Sequence, residues 1–139
     1  MRAVSWKYLA IMALSVVILI ASVWVVYHYF TSTFTGGNDF YSRWAGGRAL
    51  LVEGRDPYSL EVTAEIQAVK KIKPSLVGKG SFAYPLHVVF LFLPLVYLDY
   101  PLALAIWMVI SIWLAIATVF ILFNFDFTPL VSFSSAEQL

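Results

Sequence analysis

The sequence predicts an all-α integral membrane protein with about three transmembrane helices and a polar loop of two interfacial helices between the first and second. Three observations lead there. The 139 residues are 61% hydrophobic and only 12% charged, about half the charge of an average soluble domain. Leu9 to Phe30 is a run of 22 residues in which His28 is the one acidic or basic side chain. Leu102 to Phe123 is another 22 with none. Each exceeds the roughly 20 residues that cross a hydrocarbon core about 30 Å thick.

In chain order, residues 1–8 are a short N-terminal arm carrying Arg2 and Lys7. The run 9–30 is too long for a signal-peptide core and has no small-residue cleavage site, so it is expected to stay as an anchor. Residues 31–83 form the loop and hold twelve of the seventeen acidic and basic residues, so any chemistry belongs there. After Thr31 to Gly37, Asn38 and Asp39 stand in the order of an N-cap and an acidic first turn. A helix over about 39–53 follows, with Phe40, Trp44, Gly47 and Leu51 on one stripe and Tyr41 near its edge, a pattern suited to the membrane surface. Gly54 is a stop signal, and Arg55-Asp56-Pro57-Tyr58 reads as a turn.

Ser59 can cap a second loop helix over about 60–73. Val62, Ile66 and Val69 fall on one face with Ile72 adjacent, and Lys70, Lys71 and Lys73 complement its negative end before Pro74. Gly78 and Gly80 mark residues 74–80 as a mobile loop. Residues 84–98 are a third apolar run, read as a short second span kinked at Pro94, with Pro85 at its start. At 15 residues it is short for a crossing, and a re-entrant or interfacial segment is the other reading. Asp99-Tyr100-Pro101 is a tight turn into the third span, 102–123, and 124–139 is a tail with no further span.

Several function classes fall away. Without cysteine there is no disulfide framework or thiolate metal site. A net charge of +1 with no polybasic stripe gives no argument for nucleic acid. No phosphate-binding glycine loop, zinc-spaced His and Glu, or Gly-x-Ser-x-Gly elbow is present, so no metal and no cofactor are expected. Neither long span carries the paired charges of a channel or transporter.

Asp39 lies a few residues beyond the first span, where a carboxylate can act on a substrate whose lipid tail stays in the bilayer. It can serve as a general base toward an acceptor hydroxyl. Equally, it can simply favour the helix N-terminus and pair with Arg43 at i+4. Arg43, Arg48 and Arg55 suit a phosphate or diphosphate, or else lipid headgroups. His28 and His87 are candidates for phosphate contact or proton relay, against an ordinary interfacial placement. Trp44, Tyr41, Tyr58 and Tyr84 are the aromatics expected at an interface. Charge leaves orientation open: Arg2 and Lys7 favour a cytoplasmic N-terminus, while the loop holds seven Lys or Arg residues and the tail none.

The order of pieces adds to this: Asn38-Asp39-Phe40-Tyr41, Arg43-Trp44-Ala45, Leu50, Gly54, Asp56-Pro57-Tyr58, then Phe82-Ala83-Tyr84-Pro85. Over about Leu9 to Phe123 this resembles the N-terminal part of a GT-C membrane glycosyltransferase of family 87, the polyprenyl-phosphate-mannose-dependent α-mannosyltransferases and their bacterial relatives. Asp39 matches the family's catalytic base, Gly54 through Pro57-Tyr58 its loop corner, and Phe82, Tyr84 and Pro85 the start of its second span. Pro94 to Pro101, with Trp107 beyond, resembles its turn into the third. Leu86 stands where the family has a second proline.

The resemblance implies an extracytoplasmic loop, a cytoplasmic N-terminus and a bacterial cell membrane. It implies a polyprenyl-phosphate sugar donor, a lipid or glycan acceptor, and transfer of a hexose, mannose first among them. Substrate contacts are expected from Arg43, Trp44, Arg48, Arg55, Tyr58, Tyr84 and His87. Family members have many more spans, so the chain is expected to be a fragment, inactive alone, that needs a complementary membrane subunit. The alternative is a small non-catalytic membrane protein that binds lipid or a partner, with Ala103, Ala105, Ala115 and Ala117 permitting close helix contact.

Overall fold

The computed structural model describes residues 6–33, 39–71 and 80–124, and every regular element among them is helical. The chain divides into two units, Met1–Val109 and Ile110–Leu139.

The first helix, α1, covers Trp6–Val26 and continues as a π-helical turn, Tyr27–Thr31. Ser32 N–H closes that turn on the Tyr27 carbonyl at 2.8 Å. Ser15 and Ser22 donate to the carbonyls of Ile11 and Ile18, four residues back. Both serine hydroxyls thereby find their partners inside the helix, where lipid would offer none. The last helix, α4, runs Tyr100–Asn124. Within Trp6–Thr31 and Tyr100–Phe123, stretches of 18 residues have mean hydropathies of 2.8 and 2.6 with 0% and 6% of their residues buried. At about 1.5 Å per residue both helices outrun a hydrocarbon core of about 30 Å. A core helix of a soluble protein would be covered by its own chain over most of its length, and these stretches are not. The two helices are the first and third apolar runs of the sequence, and they are long and apolar enough to cross a membrane.

The middle run takes another form. Residues 84–98, expected as one kinked helix, form two 3-10 helices, Leu86–Phe92 and Leu95–Tyr97. Pro85 is extended at φ −56° and ψ 141°, so helix starts only after it, with Val88 N–H on the Pro85 carbonyl at 2.9 Å. Pro94 brings no N–H, and the 3-10 hydrogen-bond ladder is interrupted there although Leu93 and Pro94 keep right-handed helical dihedrals. Seven residues at a 3-10 rise of about 2.0 Å reach about 14 Å, half a hydrocarbon core.

Helix α2 spans Asp39–Leu51. Gly54 ends this stretch in the left-handed conformation, φ +66°, and Arg55 N–H returns to the Ala49 carbonyl at 2.8 Å. The aromatic stripe expected on the membrane surface instead faces the chain itself. Phe40 is buried, stacked on Trp107 at 5.5 Å and meeting Phe92 edge-on at 5.7 Å. Trp44 N–H donates to the carbonyls of Leu95 and Leu98, 3.2 Å each, which ties α2 to the second 3-10 helix. A second stripe packs more tightly. Gly46 lies against Phe82 and Gly47 against Val96 and Val89, while Ala49 joins Val62 and Ile66 of the next helix.

That helix, α3, spans Leu60–Val69, with Ser59 Oγ accepting the Val62 N–H at 3.3 Å as the cap reading expects. Val62 and Ile66 are buried as their spacing predicts. The helix ends sooner than expected because Lys71 turns to a left-handed φ of 54°. The expected Asn38 cap, Ile72 and Lys73, the loop from Pro74 to Lys79 and the tail beyond Asn124 lie outside the described residues.

Helix α4 starts earlier than expected. Asp99 accepts the Ala103 N–H at 2.9 Å through its carbonyl, so Tyr100 and Pro101, read as part of a turn, form the first helical turn. Ala103 and Ala105, read as small residues for a partner helix, are covered by this chain; Ala115 and Ala117 are exposed. The hydroxyl of Thr31, itself buried, donates to the Pro101 carbonyl at 2.7 Å and so joins the end of the first apolar helix to the beginning of α4. In the second unit, residues 110–123 are the exposed continuation of α4.

Candidate active site

Asp39 is the first residue of α2, and its carboxylate is 91% exposed. Its ion pair is with Lys70 Nζ at 3.8 Å, not with Arg43. Lys70 comes from the C-terminal cap of α3, and its side chain is only 9% exposed. One turn along α2 from Asp39, the Arg43 guanidinium lies over the Tyr84 ring, 4.5 Å from its centroid. Tyr84 is fixed in turn: its carbonyl accepts the Tyr58 hydroxyl, and its ring meets the edge of Phe82 at 5.8 Å. An accessible carboxylate paired with a lysine thus stands where α2 starts and α3 ends, and one turn along α2 a guanidinium rests on a phenol ring.

The corner that presents Tyr58 follows from Asp56-Pro57. Asp56 Oδ1 accepts the Tyr58 N–H at 2.9 Å, and its carbonyl accepts the Ser59 N–H. Pro57 is buried beneath the turn.

The other candidates have structural work. Arg55 donates to Glu53 and to both oxygens of Glu65, at 2.8 and 2.9 Å, and Glu61 lies at 3.6 Å. Arg48 donates to the Val96 carbonyl at 3.2 Å, faces Glu53 at 3.7 Å and covers the Trp44 ring. The Trp44 N–H is taken by two carbonyls. His28 is stacked on Trp24 within the first apolar helix, and His87 is exposed in the first 3-10 helix. Burial pushes the Tyr41 phenol up, with the Glu65 charge adding to it. Among the described residues no cluster of His, Cys, Asp or Glu has the makings of a metal site. Lys70 is the functional candidate that sequence reasoning passed over. Its place in a lysine run explained it as a helix-end charge, and no local spacing links it to Asp39.

The Arg55 hydrogen bonds hold Glu65 below the usual carboxylate range. Its folded pKa lies under an unfolded value of about 4.3, so the bridge contributes fully above that pH and is lost as pH falls through the folded value. In a carbon-detected NMR titration the Glu65 midpoint is expected below about 4.3 and should return to that value in Arg55→Gln. A midpoint unchanged by the substitution would remove Arg55 as the cause.

No family model, curated protein or solved structure matches this chain.

Proposed function

We propose that this chain supplies the base-bearing part of a membrane glycosyltransferase that moves a hexose, mannose in the first instance, from a polyprenyl phosphate to a lipid or glycan acceptor. The observation that carries the reading is Asp39, an exposed carboxylate paired with Lys70 and one helical turn from Arg43, in the segment that joins two apolar helices. In the reaction Asp39 takes the proton of the acceptor hydroxyl, whose oxygen forms the new bond to the anomeric carbon. The bond from that carbon to the phosphate oxygen breaks, the configuration inverts, and the electron pair leaves on the polyprenyl phosphate. A cation near that oxygen stabilises the charge as it develops.

The test is mannosyl transfer in membranes expressing the complete locus. Transfer from polyprenyl-phosphate mannose and none from a nucleotide sugar supports the reading; the opposite donor preference overturns it. The alternative, a non-catalytic membrane protein that binds lipid or a partner, draws on the exposure of α1, which has no buried residue.

For this function the loop lies outside the cytoplasm and the N-terminus inside, in a bacterial cell membrane. Our reading replaces the three expected crossings with two, and two observations support that. The 3-10 segments are short, and the Thr31–Pro101 hydrogen bond puts the end of one apolar helix beside the start of the other. A chain that leaves the membrane at Thr31 and re-enters at Pro101 crosses twice, so residues after Asn124 return to the cytoplasm. The chain has no cysteine, which makes single-cysteine labelling direct. With a membrane-impermeant maleimide, Ala64→Cys is expected to label in intact cells and Ser135→Cys only after permeabilisation. Labelling of both in intact cells would restore the third crossing.

A further inference from the structure

We infer that Arg43 and Lys70 together form the seat for the phosphate of a membrane-borne ligand, and that Arg48 and Arg55 do not. The inference rests on the proposed function and deepens it by naming the groups that hold the anion. It follows from which donors the fold already uses. Arg55 and Arg48 have theirs on Glu53, Glu65 and the Val96 carbonyl. The Arg43 guanidinium carbon lies over the Tyr84 ring, 4.5 Å from its centroid, and among the described residues no hydrogen bond engages its fork. Stacking steadies a guanidinium while leaving its N–H edge for a phosphate. Lys70 is nine-tenths buried, and its ammonium is 3.8 Å from Asp39, inside ion-pair range but beyond a hydrogen bond. Apart from that ion pair, its three N–H donors make no hydrogen bond among the described residues. A lysine stem is costly to order and bury, and here that places an ammonium beside the exposed carboxylate.

Arg43 and Lys70 outweigh Asp39 by one positive charge, which suits a phosphate monoester or diester. The ligand is assigned to the bilayer rather than to solution because the seat belongs to the loop between two helices long and apolar enough to cross it. A phosphate on a lipid tail reaches that level without leaving the membrane.

The experiment uses the full chain in phosphatidylcholine nanodiscs and measures binding of undecaprenyl phosphate by native mass spectrometry. Undecaprenol, inorganic phosphate and phosphatidylglycerol are the comparison probes. Binding of undecaprenyl phosphate but not undecaprenol is expected, with Arg43→Gln and Lys70→Gln each weakening it about tenfold, the scale of one charge-assisted hydrogen bond. Lys70→Arg should retain most of the affinity. Lys71→Gln, which removes an exposed neighbouring charge, should leave it unchanged, and unaltered circular dichroism identifies folded variants. Equal losses in Lys71→Gln and Lys70→Gln, or none in Lys70→Gln and Arg43→Gln, would overturn the seat. Equal competition by inorganic phosphate would overturn its assignment to a lipid, and equal binding of phosphatidylglycerol would overturn its preference for a polyprenyl phosphate. Because binding is read without turnover, loss of the seat leaves Asp39-dependent transfer standing, and transfer indifferent to Asp39 leaves the seat standing.

Discussion

Gly46→Ala is expected to unfold more readily than the native chain even though alanine is the better helix former. A Cβ at Gly46 would lie 2.3 Å from Phe82 Cδ2, 2.5 Å from Cγ and 2.9 Å from Cβ. The near end of that side chain cannot swing away without its backbone, and Phe82 is 2% exposed, packed against the rings of Tyr58 and Tyr84. Overpacking of this kind costs about 1–3 kcal/mol, against a propensity gain of about 1 kcal/mol for Gly→Ala in a helix. Gly47 offers the contrast, because its added Cβ meets the terminal methyl Cγ1 of Val96 at 2.9 Å. Gly47→Ala should therefore be the milder change. The displaced Phe82 would also disturb Tyr84 and, through it, Arg43, so Gly46→Ala should weaken the candidate site along with the fold. Thermal unfolding in detergent, followed by tryptophan fluorescence, orders the three proteins. Gly46→Ala melting at or above the native temperature would mean that α2 does not approach Phe82 this closely.

The parts of the fold legible in the sequence were those set by local chemistry. Two runs of about twenty apolar residues need no tertiary information to be read as membrane helices. The Ser59 cap, the Gly54 stop and the Val62–Ile66 face follow from spacing within one or two turns. What spacing could not supply was the partner of each face. The stripe of Phe40, Trp44, Gly47 and Leu51 has the same period whether it meets lipid or protein, and only the 3-10 segments and Trp107 decide that it meets protein. The form of 86–97 was equally hidden, since two prolines argue for a break but do not choose between a kinked α-helix and two 3-10 turns. At the site, Asp39 and Arg43 were visible as neighbours on one helix face. Their actual partners, Lys70 and Tyr84, come from 31 and 41 residues further along the chain. Arg55, an attractive phosphate ligand in the sequence, is held by carboxylates from its own loop.

If the proposed transfer holds, Asp39→Asn is expected to remove it almost completely. The substitution keeps the size and the exposed position of the side chain but leaves an amide with no basic oxygen for the acceptor proton. General-base contributions of about a hundredfold to ten-thousandfold set the scale of the loss. The fold should be indifferent to it. Asp39 is exposed, its pair with Lys70 is long, and an asparagine keeps the size of the side chain, so unfolding should change little. Asp39→Glu keeps the basic group but displaces it by one methylene, and should keep a fraction of the rate. The most direct measurement is therefore mannosyl transfer from polyprenyl-phosphate mannose in membranes carrying the complete locus, at matched protein levels, for Asp39, Asp39→Asn and Asp39→Glu. Activity in the native membranes, a fraction in Asp39→Glu and a loss of at least about a hundredfold in Asp39→Asn is the expected result. Transfer retained in Asp39→Asn would contradict the assignment of Asp39 as the base.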